Sequence, residues 1–232
     1  MRIKQLVLAS MGLVAASWIN SSEALAQTTV PTIAERDPNW KIVGDVSLAI
    51  GASTVFLMPR VYYSDPESTV GWKGRWHFSH FAPMMTMAAA TLLVDGPIKT
   101  SIQSTRPGCD DVDPRVAGPG SGCETFGGPS THAFAAWGAF GVGTSIFLVD
   151  TLKYSKGRFH AGSFIGNVVV PLAAGVMTSV SRSVNGSGVQ FESDKQVLAG
   201  TFIGMGTGML VGLAYSMLQR PSCGYGNGVF CW

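Results

Sequence analysis

Lys99 and Arg106 stand seven residues apart, and Pro107 follows the arginine directly. Farther along, the chain reads Pro129-Ser130-Thr131-His132 ahead of a long apolar run, and Ser181-Arg182 comes about fifty residues after that histidine. Seven residues are nearly two helical turns, so a helix through this stretch puts Lys99 and Arg106 on one face and stops at Pro107. Ser130 is an N-cap residue type. It places His132 in the first turn of the next helix, beside unpaired N–H groups and the positive end of the dipole. Fixed cations, free amides and a titratable imidazole are the groups needed to hold a phosphate-sized anion and to move a proton on it.

These residues resemble the motifs of the phosphatidic acid phosphatase type 2 superfamily, which includes the bacterial class A acid phosphatases and the vanadium haloperoxidases. Lys99, six residues, Arg106 and Pro107 resemble the first motif. Pro129-Ser130-Thr131-His132 looks like the second, PSGH, with threonine for glycine, and Ser181-Arg182 stands where the third, SRxxxxxHxxxD, begins. The likeness covers roughly residues 80–215. It implies that Lys99, Arg106 and Arg182 bind phosphate, that Ser130 and the amides of Thr131 and His132 add hydrogen bonds, and that His132 is the acid that protonates the leaving oxygen. The third motif departs from the pattern: the positions of the nucleophilic histidine and of the aspartate that orients it hold Gly188 and Glu192. No histidine follows His160. Glu192 and Asp194 are the acidic side chains available to stand in for the missing nucleophile or its orienter; the plainer reading of both is a polar loop.

The resemblance therefore implies hydrolysis of a phosphomonoester or a diphosphate, on a phosphorylated lipid if the chain is embedded in a membrane, or otherwise on a small phosphate ester. Three alternatives stay open. One is a relative that binds phosphate headgroups without turnover, another a soluble periplasmic protein like the acid phosphatases, and the third a structural envelope protein. No metal or cofactor is expected. His77 and His80 lack further ligands at helical spacing and read as interfacial. Asp110, Asp111 and Asp113 lack the glycine and glutamate of a calcium loop and read as a solvated lid.

Composition and hydropathy supply the scaffold. Charged residues are 13% of the 232, glycines number 29, and the net charge of +2 with no basic stripe argues against nucleic acid as a partner. Arg2 and Lys4 precede an apolar run over residues 6–19, and Ala24-Leu25-Ala26 is a small-x-small cleavage signal, so residues 1–26 read as a signal peptide. Residues 27–40 are a polar lead-in, 41–219 the helical domain and 220–232 a Cys/Gly-rich tail. Apolar segments over 42–58, 79–105, 133–149, 161–181 and 196–219, with no strand-like alternation, give an all-α bundle of five to six long helices that span a membrane. The uncharged part of the second, 81–94, is short for a span, and Pro171 should kink the fourth. Glycines at 200, 204, 208 and 212 line one face of the last segment and allow close backbone approach.

With residue 27 outside the cytoplasm, five alternating segments carry Lys99, Arg106, His132 and Arg182 to the outer ends of helices and leave Lys153, Lys156 and Arg158 inside. That is an inner-membrane protein with its site facing the periplasm. Cys109 and Cys123 read as one disulfide on the exported side, and Cys223 and Cys231 as a second. The same topology, however, leaves the tail pair in the cytoplasm.

Overall fold

Asp37 and Pro38 start the first helix. The Asp37 carboxylate accepts the amide of Asn39 at 2.9 Å, and proline at the first helical position lacks an N–H that would have been unpaired there anyway. Helix α1 therefore runs Pro38–Leu57 and begins four residues ahead of the apolar segment read from the sequence. The computed structural model of the chain describes residues 36–58, 80–109, 114, 117, 122–155 and 157–218. The signal-peptide reading of 1–26, His77, Asp110, Asp111, Asp113, Lys156 and the tail cysteines Cys223 and Cys231 lie outside the described residues.

Helix α2 is Phe81–Ile102, long enough to cross a membrane, because it continues through Asp95, Pro97 and Lys99. A π-helical stretch over Val94–Ile98 makes this possible, since its wider hydrogen-bond spacing absorbs the N–H that Pro97 cannot donate. The helix ends sooner than Pro107. Gln103 adopts a left-handed conformation (φ 53°) and donates its amide to the Lys99 carbonyl at 2.9 Å, closing the helix one turn after Lys99. Lys99 and Arg106 therefore do not share a helix face as the spacing predicts: Arg106 sits on the loop beyond.

Helix α3, Thr131–Tyr154, starts where Ser130 predicts, with the Ser130 hydroxyl accepting the amide of Ala133 at 3.1 Å. Helix α4, Ala161–Ser183, meets Pro171 just after another π-helical stretch, Ile165–Val169. Helix α5 is Asp194–Leu218. Among the described residues the chain is all-α, and its one β feature is the isolated bridge between Ser104 and Gly128.

All five helices are long and apolar enough to cross a membrane. Burial places them. The most apolar 18-residue window of α3 is 67% buried, against 22% in α1 and in α2 and 28% in α5, so α3 is the central helix and the others surround it. The glycine stripe of α5 lies directly on it. A Cβ at Gly200, Gly204, Gly208 or Gly212 would meet the carbonyl oxygen of Ser130, Phe134, Gly138 or Val142, the matching four-residue row of α3. Outward-facing positions such as Leu92, Phe202 and Leu210 are large, apolar and exposed.

The helices alternate in direction, which gathers the starts of α1, α3 and α5 with the ends of α2 and α4. Arg182 reaches Asp45, the Ser130 amide reaches the Gln196 carbonyl at 2.9 Å, and the Ser187 amide reaches Asp37 at 3.1 Å. Two backbone donors, Asn39 and Ser187, hold the Asp37 carboxyl below its usual range. At the opposite end Phe56 packs on Phe81, and the Tyr154 hydroxyl donates to the Ser216 carbonyl at 3.2 Å. His80 is also at that end and fully buried, so it is not the interfacial side chain that its sequence context indicates.

Cys109 and Cys123 form the expected disulfide, and both are buried. A cross-link between residues 14 apart restricts the unfolded chain by about 3 kcal/mol on the loop-entropy account. Replacing both cysteines by serine should lower the unfolding free energy by that amount under non-reducing conditions. An unchanged midpoint in chemical denaturation would count against it.

Candidate functional site

The site is built at the end of the bundle where α1, α3 and α5 begin. Lys99 is 3% exposed although it ends a membrane-length helix, and its Nζ lies 3.2 Å from Asp95 Oδ1 one turn earlier. The π-helical stretch carries Asp95, and the same Oδ1 accepts the Thr131 hydroxyl at 2.8 Å. Lys99 and the start of α3 are thus joined through one carboxylate oxygen.

Asp45 makes the second junction. It lies two turns into α1, and its Oδ1 receives Arg182 from α4 at 2.7 Å and faces His132 Nε2 at 3.1 Å. Arg182 is 4% exposed, and its guanidinium also lies over the Phe191 ring, 5.2 Å from the centroid. Buried cations need partners, and here two of them share carboxylates with groups of the second motif.

Glu192 is the third carboxylate. It is 1% exposed, its amide donates to the Arg182 carbonyl at 3.1 Å, and its charge acts on Arg36, Lys99, Arg182 and His132. Its Oε2 is sealed from solvent and has no hydrogen-bond partner among the described residues. Asp194, the other acidic candidate, is exposed on the first turn of α5 and makes none of these contacts.

Arg106 comes from the loop. Its Nε donates to the Thr125 carbonyl at 3.1 Å, and its charge bears on Arg36, Lys99 and Arg182. Gln196 holds that loop in place: its side-chain NH₂ donates to Ser104 Oγ at 2.8 Å and to the Thr105 carbonyl at 2.7 Å, while its Oε1 accepts the Ser193 amide at 2.9 Å. Arg36 closes the far side, donating to the Gly122 carbonyl at 2.6 Å beside the disulfide. Burial, with Arg106 adding like-charge repulsion, brings the Arg36 guanidinium down to about 10, while Glu192 and Glu124 act in the opposite direction.

The sequence-derived residues Lys99, Arg106, Thr131, His132, Arg182 and Glu192 thus come together, and Asp194 stays outside. Ser130 is fully buried, with its hydroxyl oxygen engaged as the helix cap. Asp45, Asp95, Arg36 and Gln196 are additions. Asp45 and Asp95 had a legible signal, since a carboxylate in an apolar membrane-length run is a functional candidate by default. Asp95 also stands four residues before Lys99, the spacing of a helical ion pair. Arg36 and Gln196 had none. The site collects four basic groups, three carboxylates and one imidazole, and among the described residues no group of three His, Cys, Asp or Glu side chains could hold a metal ion. With the imidazole neutral, the cluster carries one net positive charge, and the His132 side chain is partly exposed beside it. No protein-family model, curated protein or solved structure matches this chain.

Proposed function

We propose that this chain is a membrane-embedded phosphatase of the phosphatidic acid phosphatase type 2 kind, acting on a phosphate or diphosphate group, most naturally a lipid's, at the periplasmic end of the bundle. The observation that carries the reading is the convergence of Lys99, Arg106 and Arg182, together with Arg36, beside His132 at one end of the bundle. Three well-separated sequence motifs meeting in space is what a shared ligand requires and what unrelated helix-end cations do not.

Orientation has two independent supports. Lys153 in the last turn of α3 and Arg158 just beyond it lie at the end opposite the site, where cytoplasmic loops prefer basic residues. The Cys109–Cys123 disulfide lies on the site side and needs an oxidising compartment. Five membrane-length apolar helices, the outer ones with large exposed apolar side chains, should keep the protein in the membrane pellet through an alkaline carbonate wash. Recovery as a soluble monomer in osmotic-shock fluid would replace this reading with the soluble acid-phosphatase-like one.

The test of the site is equilibrium binding of inorganic phosphate and vanadate to the detergent-solubilised chain. Arg106→Ala should weaken binding roughly 10- to 100-fold, the value of a charge-assisted hydrogen bond. It should leave folding intact, because the Arg106 side chain is only partly buried. Equal affinity in the variant would refute the shared-ligand reading. A second reading, binding without turnover, is favoured by Gly188 at the nucleophile's position and by the carboxylates already paired with Lys99 and Arg182. Hydrolysis assays on the same preparation separate the two.

A further inference from the structure

Turnover through a covalent intermediate requires a group to accept the phosphoryl, and the chain has four histidines, His77, His80, His132 and His160. His80 precedes α2 and His160 caps α4, both at the opposite end of the bundle. His77 lies outside the described residues, three positions before His80. Of the acidic groups, Glu192 is sealed within the cation cluster and Asp194 stands away from it. His132 and Asp45 differ from Glu192 in access: their side chains are 36% and 45% exposed.

Asp45 also fixes which nitrogen of His132 can act. Its Oδ1 accepts a hydrogen bond from Arg182 at 2.7 Å, so it is a carboxylate, and a carboxylate can only accept. The proton in the 3.1 Å contact therefore belongs to His132 Nε2. In the neutral ring this leaves the lone pair on Nδ1, which has no hydrogen-bond partner among the described residues. A carboxylate from α1 thus orients the imidazole of the second motif.

We propose that His132, positioned by Asp45, is the covalent phosphoryl acceptor of this site and that the substrates are diphosphates. The proposal rests on the phosphate-site reading above and gives His132 a different role from the acid that the resemblance implies. The Nδ1 lone pair attacks the terminal phosphorus, a P–N bond forms, and the bridging P–O bond breaks. The leaving group departs as a phosphate monoester dianion, and the N-phosphoryl imidazolium stays hydrogen-bonded to Asp45 through Nε2–H. Water then attacks the phosphorus, the P–N bond breaks with its electron pair returning to Nδ1, and dihydrogen phosphate leaves with both water protons. The substrate class follows from the imidazole count at this end. With His132 used as nucleophile, no second described imidazole is there to protonate an alkoxide, whereas a leaving phosphate needs no proton.

The test incubates the full-length, detergent-solubilised chain briefly with radiolabelled inorganic pyrophosphate and a radiolabelled isoprenyl diphosphate, quenches in alkali, and maps the label by mass spectrometry. The expected result is an acid-labile, alkali-stable label on His132 itself. It should form at least about tenfold more slowly in Asp45→Asn, since loss of an orienting carboxylate typically costs that or more, and partly recover in Asp45→Glu. A phosphomonoester should label far less. A hydroxylamine-sensitive label on Glu192 in a parallel sample quenched by denaturation near neutral pH, where an acyl phosphate survives, would overturn the proposal, as would diphosphate hydrolysis with no trapped adduct. If phosphate and vanadate bind but nothing is labelled or hydrolysed, the covalent proposal fails while the binding site stands. If neither binds, the site reading fails as well.

Discussion

Leucine at Gly208 should prevent the bundle from assembling. A Cβ there would meet the carbonyl of Gly138 on the central helix and come within 2.9 Å of its Cα, and backbone cannot turn aside as the tip of a side chain can. Over-packing a core costs about 1–3 kcal/mol when neighbouring side chains can shift. Here the two helix axes would have to separate along the whole stripe, so the loss should exceed that range. Gly206 is the internal control. It is in the same helix two residues away and has open space around its Cβ position, so Gly206→Ala should be neutral or stabilise by up to about 1 kcal/mol. Thermal unfolding in detergent distinguishes the two. Similar midpoints for Gly208→Leu and Gly206→Ala would mean that α3 and α5 do not pack through this stripe.

That glycine row was legible because its period is set by the helix itself, and the helices were legible because long uncharged runs have few other uses. The capping role of Ser130 was legible for a similar reason: it is a local matter settled within one turn. The end of α2 was not. Proline at 107 is a strong stop signal, yet Gln103, a residue type with no special liking for a left-handed conformation, ends the helix first. The cause lies elsewhere in the fold, where Ser104 pairs with Gly128 and Gln196 holds the following carbonyl. Asp45 is the instructive omission at the site. Along the sequence a carboxylate inside an apolar run marks it as a candidate, but nothing there names its partners. Its value lies in contacts to residues 87 and 137 positions away, and spacing carries no information at that range. Glu192 and Asp194 were both open as acidic substitutes in the sequence, and burial separates them.

Glutamine at Glu192 should change stability and anion affinity in opposite directions. The carboxylate is 1% exposed and acts on three cations, two of them, Lys99 and Arg182, at most 4% exposed themselves. Removing one member of a buried charged set leaves the others under-compensated, which typically costs about 3–5 kcal/mol. The fold should therefore unfold earlier. The same change removes a negative charge from a site of four basic groups and three carboxylates, so the net charge offered to a phosphate rises by one. At an effective dielectric near 20, a unit charge several ångströms away is worth about 2 kcal/mol, so phosphate and vanadate should bind at least ~10-fold more tightly. Added phosphate should in turn restore much of the lost stability, because a ligand that fills the vacated charge position binds only the folded chain. Arg182→Gln should lose both stability and affinity, since it removes a cation that Asp45 and Glu192 both use. If Glu192→Gln instead weakens anion binding, Glu192 is not competing with the ligand for these cations. Its carboxylate would then be holding them in the geometry the ligand needs.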